Sequence, residues 1–252
     1  MNPSLTERER RIIDLLSDSD DMPVSRLAEI LQVSSVTVRT DLKALEQKGF
    51  ILRLRGGAAP AFHPAILARQ REMASEKGRI ARAAAALVSD GDTVMIEAGT
   101  TTAMIARYLL GKRDVRIVTN SNLVVPYART NSALHLTVVG GEFRPLAESL
   151  VGPLALAQLE TFHVRFAFVG TDGFSVERGL TTNMVEGAEV VKKMASQAER
   201  TVLTADSSKW GRKGFVTVLP LSRVHTLIVD TGLSEEAAAA VRAEGVSEVL
   251  RV

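Results

Sequence analysis

The amino-acid sequence predicts an α/β protein with two domains, a winged helix-turn-helix at the N-terminus and a larger domain built on a mostly parallel sheet. Three short helical patterns, followed by a basic strand with two glycines, predict the first domain. Seven short apolar runs that alternate with amphipathic segments predict the second domain. We place the winged domain at residues 1–58, a linker and connecting helix at 59–75, and the α/β domain at 76–252.

The first two predicted helices each begin with a residue that can cap them. Thr6 and Glu9 form a capping-box pattern, in which each side chain accepts a hydrogen bond from the other residue's backbone N–H. Ser25 is the expected N-cap of the second helix. The apolar side chains of these two helices would line a small core, and they are Ile12, Ile13, Leu15, Leu16, Leu27, Ala28, Ile30 and Leu31.

The third predicted helix follows a turn at residues 32–33 and has the spacing of a recognition helix. Ser34 can cap it, and Gly49 stands where a left-handed residue would end it after Lys48. Its inward stripe at spacings of four and three consists of Val38, Leu42 and Leu45. The residues off that stripe can face a DNA major groove, and they are Arg39, Thr40 and Lys43.

A basic strand over residues 50–55, ended by Gly56 and Gly57, completes the pattern as a wing. Arg53 and Arg55 would project from it toward phosphates or a minor groove. Residues 22–60 hold six Lys or Arg against three acids, so positive charge is concentrated on the expected reading surface. The alternative is an ordinary three-helix bundle with solvated arginines, but the order of cap, turn, stripe and wing favours DNA binding.

The predicted winged domain resembles that of the DeoR family of bacterial transcriptional regulators. The resemblance runs from Arg8 through Ile12 and Leu16 to residues 34–42, and it ends at residues 53–58. The family usually carries a basic or amidic residue where this chain has Thr40, which bears on the operator sequence. The expected DNA-contacting residues are Ser25, Arg26, Ser34, Ser35, Thr37, Arg39, Thr40, Lys43, Arg53, Arg55 and Gly56.

Composition narrows the remaining possibilities. A net charge of +2 implies no general affinity for polyanions, so DNA binding has to rest on the local basic surface. The chain has no cysteine, which excludes disulfides and thiolate metal sites and fits a reducing compartment. The charged N-terminus and the lack of an 18-residue apolar run predict a cytoplasmic protein with no membrane partner.

The rest of the chain has the pattern of a parallel α/β domain. A proline-broken linker at residues 58–64 precedes a helical stretch that runs from Arg69 to Leu87. The expected strands lie at residues 93–97, 115–119, 134–139, 166–170, 201–205, 226–230 and 248–252.

Polar and glycine-rich clusters follow five of these strands. Residues 99–102 open a helix with one glycine and three threonines, which is a suitable anion cradle. Each cluster alone would be an ordinary turn. Because ligands of parallel sheets bind at the carboxyl ends of strands, five clusters at one edge predict a pocket for a small hydroxylated anion. The other four clusters are residues 119–122, 140–144, 170–173 and 207–211, the last with the ammonium group of Lys209.

The same clusters carry the resemblance over residues 75–252, which are similar to the effector-binding half of DeoR regulators. That half is related to ribose-5-phosphate isomerases and usually senses a phosphorylated sugar or polyol. Two departures suggest an altered pocket: Glu97 replaces an aspartate, and residues 164–166 replace an Asp-Lys pair. The resemblance implies an effector site made of Glu97, Gly99, Thr100, Thr101, Thr102, Asn120, Ser121, Gly140, Gly141, Arg144, Gly170, Thr171, Asp172, Gly173, Glu186 and Lys209.

Two functions from different classes remain open at this point, a sugar-phosphate-controlled regulator and an isomerase with a DNA-binding appendage. The isomerases need a second carboxylate soon after the Asp-Gly of their catalytic loop, whereas the next acid after Asp172 is Glu177. The histidines lack metal spacing, and Ser207 and Ser208 lack a partner histidine. We therefore expect no catalytic residue, metal or cofactor. The expected protein is a regulator, most simply a repressor, that forms a dimer or tetramer through its α/β domain.

Overall fold

The computed structural model describes residues 5–17, 22–48, 50–54, 57–129 and 131–252. Contacts between Cα atoms divide the chain into two units, Met1–Glu72 and Met73–Val252. The first unit contains helices α1 (Glu7–Ser17), α2 (Val24–Leu31) and α3 (Ser35–Gln47), strands β1 (Ile51–Leu54) and β2 (Gly57–Pro60), and helix α4 (Pro64–Arg71).

Two of the three predicted caps of the first unit are confirmed. The N–H of Thr6 donates to Glu9 Oε2 at 2.8 Å, and the N–H of Glu9 donates to Thr6 Oγ1 at 3.2 Å. Ser34 caps α3 by accepting a hydrogen bond from the N–H of Thr37. The expected core is also present, and its fully buried members are Ile12, Ile13, Leu16, Leu27, Val38, Leu42 and Leu45.

The structure corrects three predictions in this unit. Helix α2 begins directly after Pro23, whose ring fixes an extended φ but offers no capping side chain, so Ser25 lies inside the first turn. Ile30 points outward and is 37% exposed. The expected linker begins later than residue 58, because Gly57–Pro60 forms β2 and pairs antiparallel with β1. Gly49, the predicted C-terminal cap of α3, lies outside the described residues.

The second unit begins with helix α5 (Ala74–Ala86), so the single helix predicted from Arg69 to Leu87 is two helices. Met73 separates them with a φ of 51°, a left-handed conformation that an α-helix cannot include. The other helices are α6 (Thr100–Tyr108), α7 (Val125–Ala128), α8 (Pro153–Leu159), α9 (Val185–Ser196) and α10 (Glu235–Ala243). Every helix in the described ranges is too short or too polar to cross a bilayer.

The seven predicted strands form one parallel sheet, as expected. They are β3 (Thr93–Ile96), β4 (Val115–Thr119), β5 (Leu134–Val138), β8 (Val164–Val169), β11 (Ala198–Thr204), β13 (Thr226–Val229) and β14 (Glu248–Arg251). Their spatial order is β14-β13-β11-β8-β3-β4-β5, so the direction of winding reverses between β3 and β8. Both faces are covered: Met95 and Ala167 pack in one core cluster with residues of α9 and α10, and the alternate residues Val94 and Phe168 are equally buried.

Two small antiparallel sheets, which the sequence did not predict, lie between the strands of the large sheet along the chain. One is the hairpin of β6 (Glu142–Arg144) and β7 (Ser149–Val151), and the other joins β9 (Gly173–Ser175), β10 (Gly179–Thr182) and β12 (Val216–Leu219). Glycine is required in both. At Gly141, with a φ of 144°, a Cβ would lie 2.5 Å from the carbonyl oxygen of Val151. At Gly173 a Cβ would collide with the carbonyl group of Arg212.

Candidate functional sites

The outer face of α3 carries two cations with no partner. Arg39 and Lys43 are exposed, as predicted, and within the described part of the chain neither makes an ion pair or hydrogen bond through its side chain. Thr40, between them, is exposed as well. The buried stripe of Val38, Leu42 and Leu45 lies on the other side of the helix. The helix therefore presents positive charge outward while its inner face holds it to the core.

Several hydroxyl groups of the predicted DNA-contacting set already have intramolecular partners. Ser34 Oγ lies 2.9 Å from Thr37 Oγ1 and also accepts the N–H of Thr37. Thr40 Oγ1 donates to the carbonyl oxygen of Val36 at 3.1 Å. Ser25 and Ser35 remain partly or fully exposed, and the exposed Arg26 pairs with Glu29 at 2.9 Å. Among the described residues of this set, the polar groups most available to DNA are therefore the side chains of Arg39, Lys43 and Arg53 and not the hydroxyls.

Two ion pairs attach α3 to α1. Arg8 binds the carboxylate of Asp41, and Lys48 Nζ lies 2.7 Å from Glu9 Oε1. Burial alone would raise the pKa of Glu9, but hydrogen bonds from Lys48 and Thr6 outweigh it and hold that pKa below its ordinary value. The charged carboxylate is therefore the favoured form, and both contacts fix the orientation of the helix.

The wing is a short two-stranded ribbon. Leu54 pairs with Gly57, and Arg53 pairs with Ala58. Arg53 is exposed, and so are the flanking Leu52 and Leu54, at 57% and 54%. Arg55 and Gly56 lie outside the described residues, and their contacts with DNA remain predictions.

The second candidate site lies at the carboxyl edge of the parallel sheet, where the winding reverses. Glu97, just after β3, accepts a hydrogen bond at Oε2 from the N–H of Gly170, just after β8, at 3.1 Å. This contact joins the two predicted clusters across the reversal point, the usual position of ligands in such sheets. Gly99 precedes α6 without any capping side chain, so the first turn of that helix keeps its N–H groups available.

The three threonines at the start of α6 differ in how far their hydroxyls are buried and bonded. Thr102 is fully buried, and its Oγ1 donates to the carbonyl oxygens of Glu97 at 2.6 Å and Gly99 at 3.0 Å. Thr101 is also buried, whereas Thr100 is half-buried. We therefore correct the expected role of Thr102: its hydroxyl shapes the loop and is not free to bind a ligand.

Asn120 likewise has a structural role in place of the expected ligand contact. Its Oδ1 accepts the N–H of Ala98 at 3.0 Å, its Nδ2 donates to the carbonyl oxygen of Leu150 at 3.2 Å, and the residue is 1% exposed. The neighbouring Ser121 pairs with Ser149 in an antiparallel bridge. Both serine hydroxyls are buried and have no partner among the described residues.

The cluster after β5 is tied to other elements of the same unit. The N–H of Gly140 donates to Gln158 Oε1 at 2.9 Å. Arg144, in β6, donates to Glu186 Oε1 at 2.9 Å and to Glu142 Oε2 at 3.0 Å. The hydrogen bond from Arg144 holds the pKa of Glu186 below its ordinary value. Both bonds use Nη2, so an anion at Arg144 would have to use its other N–H groups or compete with these two carboxylates.

The loop after β8 is shaped by its own polar side chains. Thr171 Oγ1 donates to the carbonyl oxygens of Gly173 at 2.7 Å and Thr181 at 2.8 Å. Asp172 Oδ2 accepts the N–H of Asn183 at 2.8 Å and the hydroxyl of Thr182 at 2.9 Å. Neither Thr182, the last residue of β10, nor the following Asn183 was expected to contact Asp172.

Lys209 ends a short 3₁₀ turn, Ser207–Lys209, that two buried aspartates hold. Asp230 accepts the N–H of Ser207 at 2.6 Å and its hydroxyl at 2.9 Å, and Asp206 accepts the N–H of Ser208 at 3.2 Å. Burial would raise the pKa of Asp230, but hydrogen bonds from Ser207 and Gly232 keep it below its ordinary value. Within the described residues, the ammonium group of Lys209 has no ion pair.

Arg165, one of the two departures in the effector half, lies away from this edge. It stands near the amino end of β8, where its guanidinium contacts Asp92 at 2.8 Å and the Phe166 ring at 5.0 Å. The substitution is thus compensated by an ion pair at the opposite end of the sheet. It gives no reason to expect an altered ligand pocket.

Two domain models of the DeoR family match the chain, one for each of its two units. The profile of the DeoR-like helix-turn-helix domain matches residues 8–61, and that of the DeoR C-terminal sensor domain matches residues 72–231. The chain is 35% identical over 248 residues to the HTH-type transcriptional regulator GlpR of Haloferax volcanii, covering 96% of both chains. It is 33% identical over 228 residues to the HTH-type transcriptional repressor GlcR of Bacillus subtilis, covering 89% of this chain and 88% of that one.

Among solved structures, ribose 5-phosphate isomerase A of Methanocaldococcus jannaschii is similar to part of the chain. The TM-score is 0.41 at 21% identity, and the similarity covers 55% of each chain.

Proposed function

This chain belongs to the DeoR family of transcriptional regulators, and we propose that it represses a sugar or polyol operon under the control of a phosphorylated sugar. The relatives at 33–35% identity are named transcriptional regulators, so the chain is a regulator and not an enzyme. The observation that carries the DNA-binding mode is the pair of exposed, unpaired cations Arg39 and Lys43 on α3. They suit the major groove, and Arg53 on the wing suits the adjoining phosphates.

The effector is proposed to bind at the carboxyl edge of the sheet with its phosphate at the start of α6. The uncapped N–H groups after Gly99 and the positive end of the helix dipole favour an anion there. Lys209 follows β11, two strands from β3, which is about 10 Å at ~4.8 Å per strand. A sugar phosphate extending across Gly170 could reach both groups, with Glu97 and Asp172 available to accept hydrogen bonds from its hydroxyls.

We further propose that the protein acts in the cytoplasm as a homo-oligomer, because one winged domain contacts too few base pairs to select a genomic site. Contacts between copies would come from the second unit, which exposes several large apolar side chains. These include Leu110, Phe143, Leu146, Leu154, Val185 and Phe215.

A two-step experiment tests the proposal. The full chain is first used to select binding sequences from a random DNA duplex pool, and the best duplex is then titrated in gel shifts at fixed salt. A panel of sugar phosphates, each beside its unphosphorylated parent sugar, is added to the complex. We expect one phosphorylated compound to change operator affinity while its parent does not. Selection of no sequence would reject the DNA-binding function, and an equal response to the parent sugar would reject the phosphate requirement.

A further inference from the structure

Val36 is a large apolar side chain on the outer face of the helix proposed to enter the major groove. It lies in the first turn of α3 and is 69% exposed. A single exposed apolar residue has no special meaning in a soluble protein. Its position is informative, however, because the N-terminal part of a recognition helix is the part that contacts base edges.

The conformation of Thr40 adds a second apolar group beside it. Thr40 lies four positions after Val36, so the two side chains are neighbours on the helix surface. Its hydroxyl donates to the carbonyl oxygen of Val36 at 3.1 Å, which leaves the methyl group as the part of this exposed side chain available to a partner. Together the two residues form a ridge of methyl groups, which we call the methyl ridge.

The surroundings of the methyl ridge favour DNA as its partner. Arg39 and Lys43 lie three and seven positions after Val36, so all four side chains share one face of α3, and both cations are exposed. Flanking positive charge is complementary to a phosphate backbone. In the major groove the apolar group offered by the bases is the C5-methyl group of thymine.

We propose that Val36 and Thr40 read thymine methyl groups in the operator, so that the operator contains an A·T pair, with its thymine facing the methyl ridge, beside the position contacted by Arg39. This inference rests on the proposed DNA-binding function. It differs from a hydroxyl contact by Thr40, which would first require the bond to Val36 to break.

Methyl deletion in the DNA tests the proposal directly. In the duplex selected with the full chain, each thymine is replaced in turn by deoxyuridine, which lacks only the C5-methyl group. We expect wild-type affinity to fall about fourfold at one or two positions, the factor that corresponds to ~0.8 kcal/mol per buried methyl group. Val36→Ala should bind the thymine duplex more weakly and lose its sensitivity at one of those positions. The remaining thymines serve as internal controls.

The pair Thr40→Val and Thr40→Ser separates the methyl group from the hydroxyl. On the thymine duplex Thr40→Val should bind about fourfold more tightly than Thr40→Ser, and the difference should vanish on the deoxyuridine duplex. Thermal unfolding of all variants checks that the exposed substitutions leave the fold intact. The proposal that the methyl ridge reads thymine would be wrong if Thr40→Ser bound the thymine duplex more tightly than Thr40→Val. It would also be wrong if deoxyuridine at every position left specific binding unchanged. Neither result would contradict the proposed regulator function. If no sequence is selected at all, both proposals fail together.

Discussion

The guanidinium of Arg8 and the carboxylate of Asp41 are joined by two hydrogen bonds although the residues are 33 positions apart. Nε donates to Oδ2 at 2.6 Å and Nη2 donates to Oδ1 at 3.0 Å. The contact links the first turn of α1 to the middle of α3, next to the exposed Thr40. It therefore fixes the rotation of the recognition helix about its own axis.

Breaking this pair should weaken operator binding more than it weakens the fold. The Arg8 side chain is 45% exposed but that of Asp41 only 12%, so Arg8→Ala should lower the unfolding midpoint slightly, and by less than it lowers operator affinity. Operator affinity should fall because α3 is less well oriented. The charge-swapped variant Arg8→Asp/Asp41→Arg should recover part of that loss. Arg10→Ala, an exposed neighbour in the same helix, is the matched control, and an equal loss in that variant would assign the effect to net charge.

Arg53→Ala should weaken binding to specific and non-specific DNA alike. A phosphate contact contributes to counterion release, so the slope of log affinity against log salt should decrease in magnitude by about 0.9. Gel shifts or fluorescence anisotropy at several salt concentrations measure this slope. Arg113→Ala, an exposed arginine of the second unit, should leave the slope unchanged. A loss confined to the selected operator would instead mean that Arg53 reads bases.

Lys209→Ala should weaken effector binding by roughly 10- to 150-fold, because a charge-assisted hydrogen bond contributes about 1.5–3 kcal/mol. The measurement is an operator titration with and without the sugar phosphate found in the screen. Operator affinity without effector should stay near that of the wild type, since the substitution lies outside the winged unit. The control is Lys192→Ala, an exposed lysine on α9. A Lys209→Ala response at wild-type effector concentrations would place the phosphate elsewhere.

His225 should make the stability of the second unit depend on pH below neutrality. Partial desolvation of its ring lowers the pKa of His225 although the residue as a whole is exposed, Arg200 and Arg223 lower it further, and its Nδ1 accepts the N–H of Thr201 at 3.0 Å. Because the folded-state pKa is lower than the unfolded value of about 6.5, the stabilisation is complete above that value. It is lost as the pH falls below it, toward the folded pKa.

The variant His225→Asn keeps an acceptor but cannot titrate in this range. Its unfolding midpoint in denaturant should therefore change less between pH 7.5 and pH 5.5 than that of the wild type. His163 makes no side-chain hydrogen bond to any described residue, so His163→Asn should behave like the wild type. Equal pH dependence in His225→Asn and wild type would show that His225 is not the responsible group.

Two glycine-to-alanine substitutions should have opposite effects on stability. At Gly173 the added Cβ meets the backbone of Arg212, which cannot move away as a flexible side chain would, so we expect a loss of about 1–3 kcal/mol. At Gly78, inside α5, the nearest atom to a Cβ is Tyr108 Oη at 3.5 Å, an ordinary contact. Gly78→Ala should therefore stabilise by about 0.8–1.0 kcal/mol through helix propensity. Denaturant unfolding of both variants measures the difference, and a destabilised Gly78→Ala would show that α5 is strained.

The large sheet could be predicted because its strands are short and mainly apolar, such as residues 226–230 with Leu-Ile-Val at their centre, and lie between segments with a different period. The small sheets could not, since β6, β7 and β9 have three residues each and show no measurable alternation. Ser25 was assigned as a cap because its side chain suits that role, whereas Pro23 begins α2 by fixing the backbone alone.

The polar clusters of the candidate effector site can be found in the sequence, but the hydrogen bonds within them cannot. The cluster at residues 99–102 shows three hydroxyls, and nothing in its composition reveals that Thr102 is bonded to the backbone. Asn120 is similar, because its partners Ala98 and Leu150 come from other loops. The sequence does show that Asp230 directly follows the apolar residues 227–229, but not that Ser207 and Gly232 bind its carboxylate.

The internal bonds of Thr102, Asn120 and Asp230 mean that the loops at the carboxyl edge are assembled before any ligand arrives. Immobilising loops on binding normally consumes part of the interaction free energy, and a preorganised site avoids that loss. The effector proposed above, a small molecule with few polar groups, would benefit from that saving. If an effector acts there as proposed, the same rigidity limits how its signal leaves the site, because loops that do not refold can respond only by displacing the whole elements that follow them, such as α6 and α10.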